Sequence, residues 1–272
     1  MAERTHLAFH HDSHLSTLET TITSITPFTA LPDENKLLFK DAKEDTHTYI
    51  ITTKSTIFHP QGGGQPSDEG TMEDKETGLT FTVHLVRMSS TNTGEVLHAG
   101  HFITPTPFQP SQKITQKIDA QKRHLYSRYH TAGHVLGAAV RHLVSSSVPN
   151  FDETKASHVP TSAACEFAGL IESSWKHAIQ QRVDEYVETD MAVEIDWWDE
   201  SDFIAHGMER SMPDRGAMGM TKEEKFRVVK IVGAETYPCG GTHVDSTRGC
   251  GKTSVKKITR SKGTSRVGYT LA

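Results

Sequence analysis

The spacing of apolar residues changes near residue 110, and the change divides the chain. Before it, short runs rich in Thr, Ile, Val and Phe (18–25, 36–39, 46–52 and 79–86) are separated by Pro, Gly, Asp and Asn. Such runs between turn formers predict strands, and regular short strands predict a small barrel or sandwich. A proline-marked stretch, 104–110, reads as the link to the next unit. From 116 to about 144 there is no proline, and Ile118, Leu125, Tyr129, Ala132, Leu136, Ala139, Val140 and Leu143 recur at helical spacing. The pattern then predicts a polar loop over 145–160, a strand over 163–170, a helix over 173–189 and a strand over 192–197. A short helix over 203–207, a strand over 226–232 and a closing hairpin over 253–271 follow. The loop with Met208, Met212, Met218 and Met220 is long, irregularly spaced and given no role. The fold class expected is α+β, with a β-rich, glycine-motif domain over 1–110 and an α+β domain over 111–272.

Composition adds a class and a location. Apolar residues make up 35% and charged residues 23% of the 272, a soluble globular balance. No apolar run approaches the ~20 residues of a membrane span. The start, Met1-Ala2-Glu3-Arg4-Thr5-His6, lacks the apolar core of a signal peptide. Three cysteines (Cys165, Cys239 and Cys250) make no disulfide framework, so a cytoplasmic protein is expected. The net charge of −5 is uneven: seven Lys/Arg and no Asp/Glu after residue 245 give +7 there and −12 before it. A basic tail of this kind suits a polyanionic partner if it folds into one face, and a solvated hairpin if it does not.

The 17 histidines give the chain its candidate chemistry. His130-Thr131-Ala132-Gly133-His134 sits on the long predicted helix, where positions i and i+4 share one face. Cys239-Gly240-Gly241-Thr242-His243 follows the 226–232 strand, with two glycines that let the backbone curl. Either motif alone is weak. Together they offer His130, His134, Cys239 and His243, a nitrogen and sulfur set suited to one tetrahedral Zn2+ per chain. Thr131 stands where a zincin peptidase needs its glutamate, which argues against that class. A third feature, Gly62-Gly63-Gly64-Gln65-Pro66-Ser67-Asp68-Glu69-Gly70, is neither a Walker loop nor a dinucleotide fingerprint. Read alone, it is a glycine-rich turn.

In their order along the chain, these motifs resemble the editing domain of alanyl-tRNA synthetases and, more closely, the stand-alone alanyl-tRNA editing proteins of the AlaX type. Asp119 and Arg123, the run Phe226-Arg227-Val228-Val229, and Ser265-Arg266-Val267 extend the resemblance from about residue 15 to the end. The paired metal motifs are shared with threonyl-tRNA synthetases, whereas the Gly-Gly-Gly-Gln segment points to the alanyl branch. The family's Gly-Ser pair has Ala156-Ser157 as its nearest counterpart here.

The resemblance implies an N-terminal β-barrel-like unit, a zinc-containing α+β editing core, and hydrolysis of the ester that joins serine or glycine to tRNA(Ala). Thr131, Gln65 and Thr242 are the expected catalytic residues. Gly62, Gly63, Gly64, Asp68 and Arg266 are the expected substrate contacts, and no membrane or protein partner is expected. Four protein ligands make a closed site, whereas a water-activating zinc keeps a position open. Either one ligand is displaced or the ion only organises the pocket. Two rival classes remain: a catalytically silent, zinc-stabilised tRNA- or RNA-binding module, and a general zinc esterase or peptidase that works without tRNA.

Overall fold

The computed structural model describes residues 4–40, 47–103 and 107–272. Residues 104–106 of the expected linker lie outside the described residues, as do residues 1–3 and Thr46. The chain forms two compact units. One comprises residues up to 62, 67–123 and 214–222, and the other 63–66, 124–213 and 223–272. The architecture is α+β, with a six-stranded closed barrel and, among the described residues, four α-helices.

The first unit opens with β1 (His6–Leu7) and continues through β2 (Thr17–Pro27), the single-turn α1 (Asp33–Lys36), β3 (Thr48–Thr53) and β4 (Ser55–Thr56). Then come β5 (Gly70–Glu73), β6 (Thr80–Met88), β7 (Val96–Phe102) and β8 (Lys113–Ile118). The barrel closes in the order β2-β3-β7-β6-β5-β8. Period-2 alternation turns Ile114 and Ile118 of β8 inward beside Met72, Phe81, Val83 and Ile22. Gln116 shares that inner face, and its amide oxygen accepts the Ile57 N–H at 3.0 Å.

Three expectations change here. The 36–39 run is not a strand but the end of α1 followed by a 3-10 turn over Leu37–Phe39. Pro32 and the acidic Asp33-Glu34 start a helical turn there, and Phe39 packs edge-on against Phe28. The helix expected from 116 begins after β8, as α2 (Ala120–Val144). Asp119 marks the boundary, its carboxylate accepting the N–H groups of Gln121 and Lys122. Over 145–160, expected to be loop, residues Asp152–Ser157 form β9, whose polar composition suits its place at one end of the sheet order.

In the second unit β10 (Ala164–Ala168) precedes α3 (Lys176–Thr189), β11 (Val193–Trp198) and α4 (Glu200–Ala205). They are followed by β12 (Phe226–Ile231), β13 (Glu235–Pro238), β14 (Thr253–Ser261) and β15 (Thr264–Leu271). Antiparallel sheets run β14-β15-β10-β9 and β11-β12-β13. The apolar stripe of α2, including Ala132, Leu136, Ala139 and Val140, packs in one core with Phe167, Ile179, Val183 and Val267. No described helix is long and apolar enough to cross a membrane.

A buried histidine makes the first unit acid-sensitive. His98 Nδ1–H donates to the Ile51 carbonyl at 2.8 Å, and Nε2 lies 2.8 Å from the Thr56 hydroxyl. Both nitrogens of the neutral ring are thereby satisfied, and burial pushes its pKa from 6.5 down to about 4. The unfolded ring takes up its proton below about pH 6.5, while the folded ring resists protonation until about 4. This contribution is therefore full above the upper value and is lost as pH falls through the window, by about 3 kcal/mol in all. Urea midpoints between pH 7 and 4 should fall more steeply for the wild type than for His98→Gln; parallel profiles would refute the assignment.

Candidate metal centre

Two elements of the second unit deliver the four donors. On α2 the His130 and His134 rings lie one turn apart, 4.9 Å between centroids and 12° from parallel. The β12–β13 hairpin ends at Pro238 and feeds the loop that carries Cys239 and His243. Arg227 on β12 secures that loop: its carbonyl accepts the Cys239 N–H, and its guanidinium donates to the Cys239 carbonyl at 2.5 Å. The donor atoms of His130, His134, Cys239 and His243 all lie within 4.8 Å of one another. Cys239 Sγ is 3.4 Å from both His130 Nε2 and His243 Nε2.

Each histidine of that trio of rings is prepared for a ligand. His130 Nδ1 lies 2.6 Å from Gln65 Oε1, so it carries the proton and donates it, leaving Nε2 as the lone-pair nitrogen. His243 Nδ1 lies 3.1 Å from Thr131 Oγ1, and that oxygen also accepts the Val244 N–H. His134 Nε2 is buried with no hydrogen-bond partner. Burial, with His158 and Arg227 nearby, holds the His134 pKa down at about 3, so the ring is neutral. Burial also pushes the Cys239 thiol up, opposed by the Gly241 N–H and by Arg227.

The donor set fits zinc. With Zn–S near 2.3 Å and Zn–N near 2.0 Å, tetrahedral donors stand about 3.5 Å apart, close to the 3.4 Å from Cys239 Sγ to the two imidazoles. The orphaned nitrogen of His134 completes the set.

Gln65, Thr131 and Thr242, which the sequence nominates for catalysis, are fully buried against these ligands. The Gln65 amide oxygen also accepts the Thr242 N–H at 3.0 Å, and its nitrogen donates to Thr242 Oγ1 at 2.8 Å. Ser127, one turn before His130, adds a 2.7 Å contact to Thr242 Oγ1. Of the nominated glycines, Gly63 and Gly64 adopt positive φ (55° and 81°). A Cβ on Gly64 would stand 2.5 Å from the Ala156 carbonyl oxygen. Asp68, in the first unit, is buried in an ion pair with Arg123 and accepts the His59 N–H at 2.6 Å. Arg266, on β15, faces Glu166 at 3.6 Å and donates to the Ser162 carbonyl.

Sequence reasoning passes over Ser127, Tyr237 and His158. Ser127 had a signal, since it is polar on the helix face that carries His130 and Thr131. Tyr237 sits two residues before Cys239; its ring packs 4.1 Å from that of His134, and its hydroxyl donates to the His134 carbonyl. His158 has no local signal at all.

The basic tail folds into β14, β15 and the turn before them, where three of its cations meet acids. Arg248 pairs with Asp190, Arg260 with Glu172 and Arg266 with Glu166. Lys252, Lys256, Lys257 and Lys262 are exposed and make no ion pair among the described residues.

The metal loop tolerates no side chain at Gly241, where a Cβ would stand 2.1 Å from His130 Cε1 and 2.8 Å from Gln65 Oε1. Gly241→Ala should displace the His130 ring and cut bound metal well below one equivalent by elemental analysis; full occupancy would contradict this packing.

Comparison with known proteins finds relatives that act in alanyl-tRNA editing and in alanine–tRNA ligation. Residues 226–267, from β12 through Cys239 and His243 to β15, match the threonyl and alanyl tRNA synthetase second additional domain. The alanyl-tRNA editing protein AlaX-L of Pyrococcus horikoshii is 27% identical over 236 residues, covering 85% of this chain and 53% of that protein. The alanine–tRNA ligase of Methanosphaera stadtmanae is 26% identical over 82% of this chain and 24% of its own length. That of Thermotoga petrophila is 25% identical over 83% of this chain and 25% of its own length. The chain thus spans about half of the AlaX-L protein and about a quarter of each ligase. By its metal motifs, its matched domain and these relatives, the chain resembles the alanyl-tRNA editing proteins and a portion of alanyl-tRNA synthetases.

Proposed function

We propose that this protein is a trans-editing hydrolase, a cytoplasmic enzyme that deacylates Ser-tRNA(Ala) and Gly-tRNA(Ala). One observation carries the reading: two motifs more than 100 residues apart in sequence converge as a four-donor cluster, in a chain similar to an alanyl-tRNA editing protein. The need for such an enzyme is energetic. A pocket built for alanine rejects glycine by about 1–3 kcal/mol for the missing methylene, and it rejects an added hydroxyl poorly. A second, hydrolytic site restores accuracy.

In the reaction, the bond from water oxygen to the acyl carbon forms and the bond to the ribose oxygen breaks. The ribose hydroxyl regains a proton, and free serine and tRNA(Ala) leave. Zinc held by His130, His134, Cys239 and His243 would organise the pocket around the ester, and it would supply Lewis-acid chemistry there only with one of the four donors displaced. The protein's own groups prepare the place. Gln65 and Thr131 orient the imidazoles through Nδ1, and Thr242 locks Gln65 in turn; because all three are buried, we assign them positioning roles. The segment Gly62–Gly64 is assigned to the terminal adenosine and its amino acid, where absent side chains let the backbone approach a ligand closely. Asp68 anchors the chain just after that segment through Arg123. The exposed lysines of β14 are assigned to phosphates, with Arg266 shaping the same sheet.

The closed four-donor arrangement also suits a silent, zinc-stabilised RNA-binding module. Incubation with Ser-tRNA(Ala) separates the two. The editing reading requires serine release well above the spontaneous rate, with Cys239→Ala losing both the stoichiometric metal and this activity. Release at the spontaneous rate by the metal-loaded protein would establish the silent module instead. Turnover of a small model ester at a comparable rate, without tRNA, would mark a general esterase.

Phosphate contact has its own signature. Each Lys–phosphate contact contributes about 0.7–0.9 to the slope of log K against log salt. Lys256→Gln with Lys257→Gln should reduce that slope by more than one in tRNA binding, while Arg260→Gln, already paired with Glu172, should leave it nearly unchanged. An unaltered slope in the double lysine variant would make β14 a solvated edge.

A further inference from the structure

His158 follows β9 and lies outside both metal motifs, yet it meets the metal centre twice. Its ring stacks on that of the ligand His130, 4.3 Å between centroids and 24° from parallel. Its backbone N–H donates to the Gly64 carbonyl at 2.8 Å, next to Gln65, which holds the Nδ1 proton of the same His130. His158 therefore bears on one ligand from its face and, through Gly64 and Gln65, from its edge.

The ring cannot drift. Tyr269 on β15 donates its hydroxyl proton to the Tyr129 carbonyl at 2.8 Å. The 2.7 Å contact between that oxygen and His158 Nδ1 must then be a bond donated by His158. This defines the tautomer and the rotation of the ring, which is 2% exposed. The helix makes room for it at Gly133. A Cβ on Gly133, between the two helix-borne ligands, would lie 2.3 Å from His158 Cε1 and 2.9 Å from the Tyr269 hydroxyl. Gly133 in the His130–His134 motif is thus the seat of His158 as well as a spacer.

We propose that His158, clamped by Tyr269, is a positioning residue for the metal centre: it sets the orientation of His130 and thereby the affinity and ligand field of the bound ion. The proposal rests on the metal-binding reading above. Outer residues that orient metal ligands change affinity by about 10–100-fold when lost. His158→Ala should weaken zinc by that factor in competition with a chromophoric chelator, and should shift the visible absorption bands of the Co2+-substituted protein. His158→Phe keeps a flat ring over His130 but loses the Tyr269 bond, and should recover part of the affinity. Tyr269→Phe removes the clamp, together with the bond from the hydroxyl to the Tyr129 carbonyl, and should displace the Co2+ bands in the same direction by a smaller amount.

The outcomes are separable. A wild-type protein that binds no stoichiometric metal overturns the metal reading itself. A wild-type protein that binds metal, with variants whose affinity stays within twofold and whose Co2+ spectrum is unchanged, overturns the role of His158. If His158→Ala does not fold, as judged by circular dichroism, Tyr269→Phe decides alone: altered Co2+ bands support the clamp and unaltered bands refute it.

Discussion

The side-chain amide of Gln65 ties together three stretches of chain that lie far apart in sequence. Its oxygen accepts from His130, 65 residues away, and from the backbone of Thr242, 177 residues away, while its nitrogen donates to the Thr242 hydroxyl. An unsatisfied buried amide costs about 1–3 kcal/mol for each group left without a partner. The glycine-run segment, α2 and the metal loop are therefore placed with respect to one another or not at all. The tautomer of His130 follows from this bond, and with it the nitrogen offered to a metal.

The rest of the centre obeys the same constraint. A partly satisfied polar network is worse than an apolar core, and here the buried hydroxyls of Thr131, Thr242 and Ser127 each find a partner. So many short polar bonds require backbones to approach closely, which is why the signature motifs carry glycine where they do. Gly241 lets the metal loop close on His130, and Gly64 lets its segment lie on the Ala156 carbonyl. The aromatic rings fill what remains: Tyr237 lies against His134, and His158 against His130.

Charge is used twice in the tail. Arginines, with planar heads suited to carboxylates, are spent on Asp190, Glu172 and Glu166 and help hold the closing hairpin. Lysines, compact charges on flexible stems, are left outside. The +7 counted along the sequence thus exceeds the charge that the folded surface offers to a polyanion.

The four donors were legible because each pair is local. His130 and His134 are related by helical periodicity, and Cys239 and His243 by a short glycine loop, so spacing alone put each pair on one side of its element. Strand and helix were legible where alternation or a long stripe was unambiguous, as in β12 and most of α2. They were misread where one residue fits both periods, as Ile118 does at the end of β8, or where an edge strand is polar, as in β9. What the sequence determined by itself was therefore the identity of the candidate ligands and the α+β class. The tertiary structure alone decided that Gln65, Thr131 and Thr242 stand behind the ligands, that His158 and Tyr269 join them, and which cations remain exposed. The reason is physical: periodicity records which face of its own element a residue takes, whereas a neighbour more than 100 residues away is chosen only when packing and buried hydrogen bonds are satisfied together.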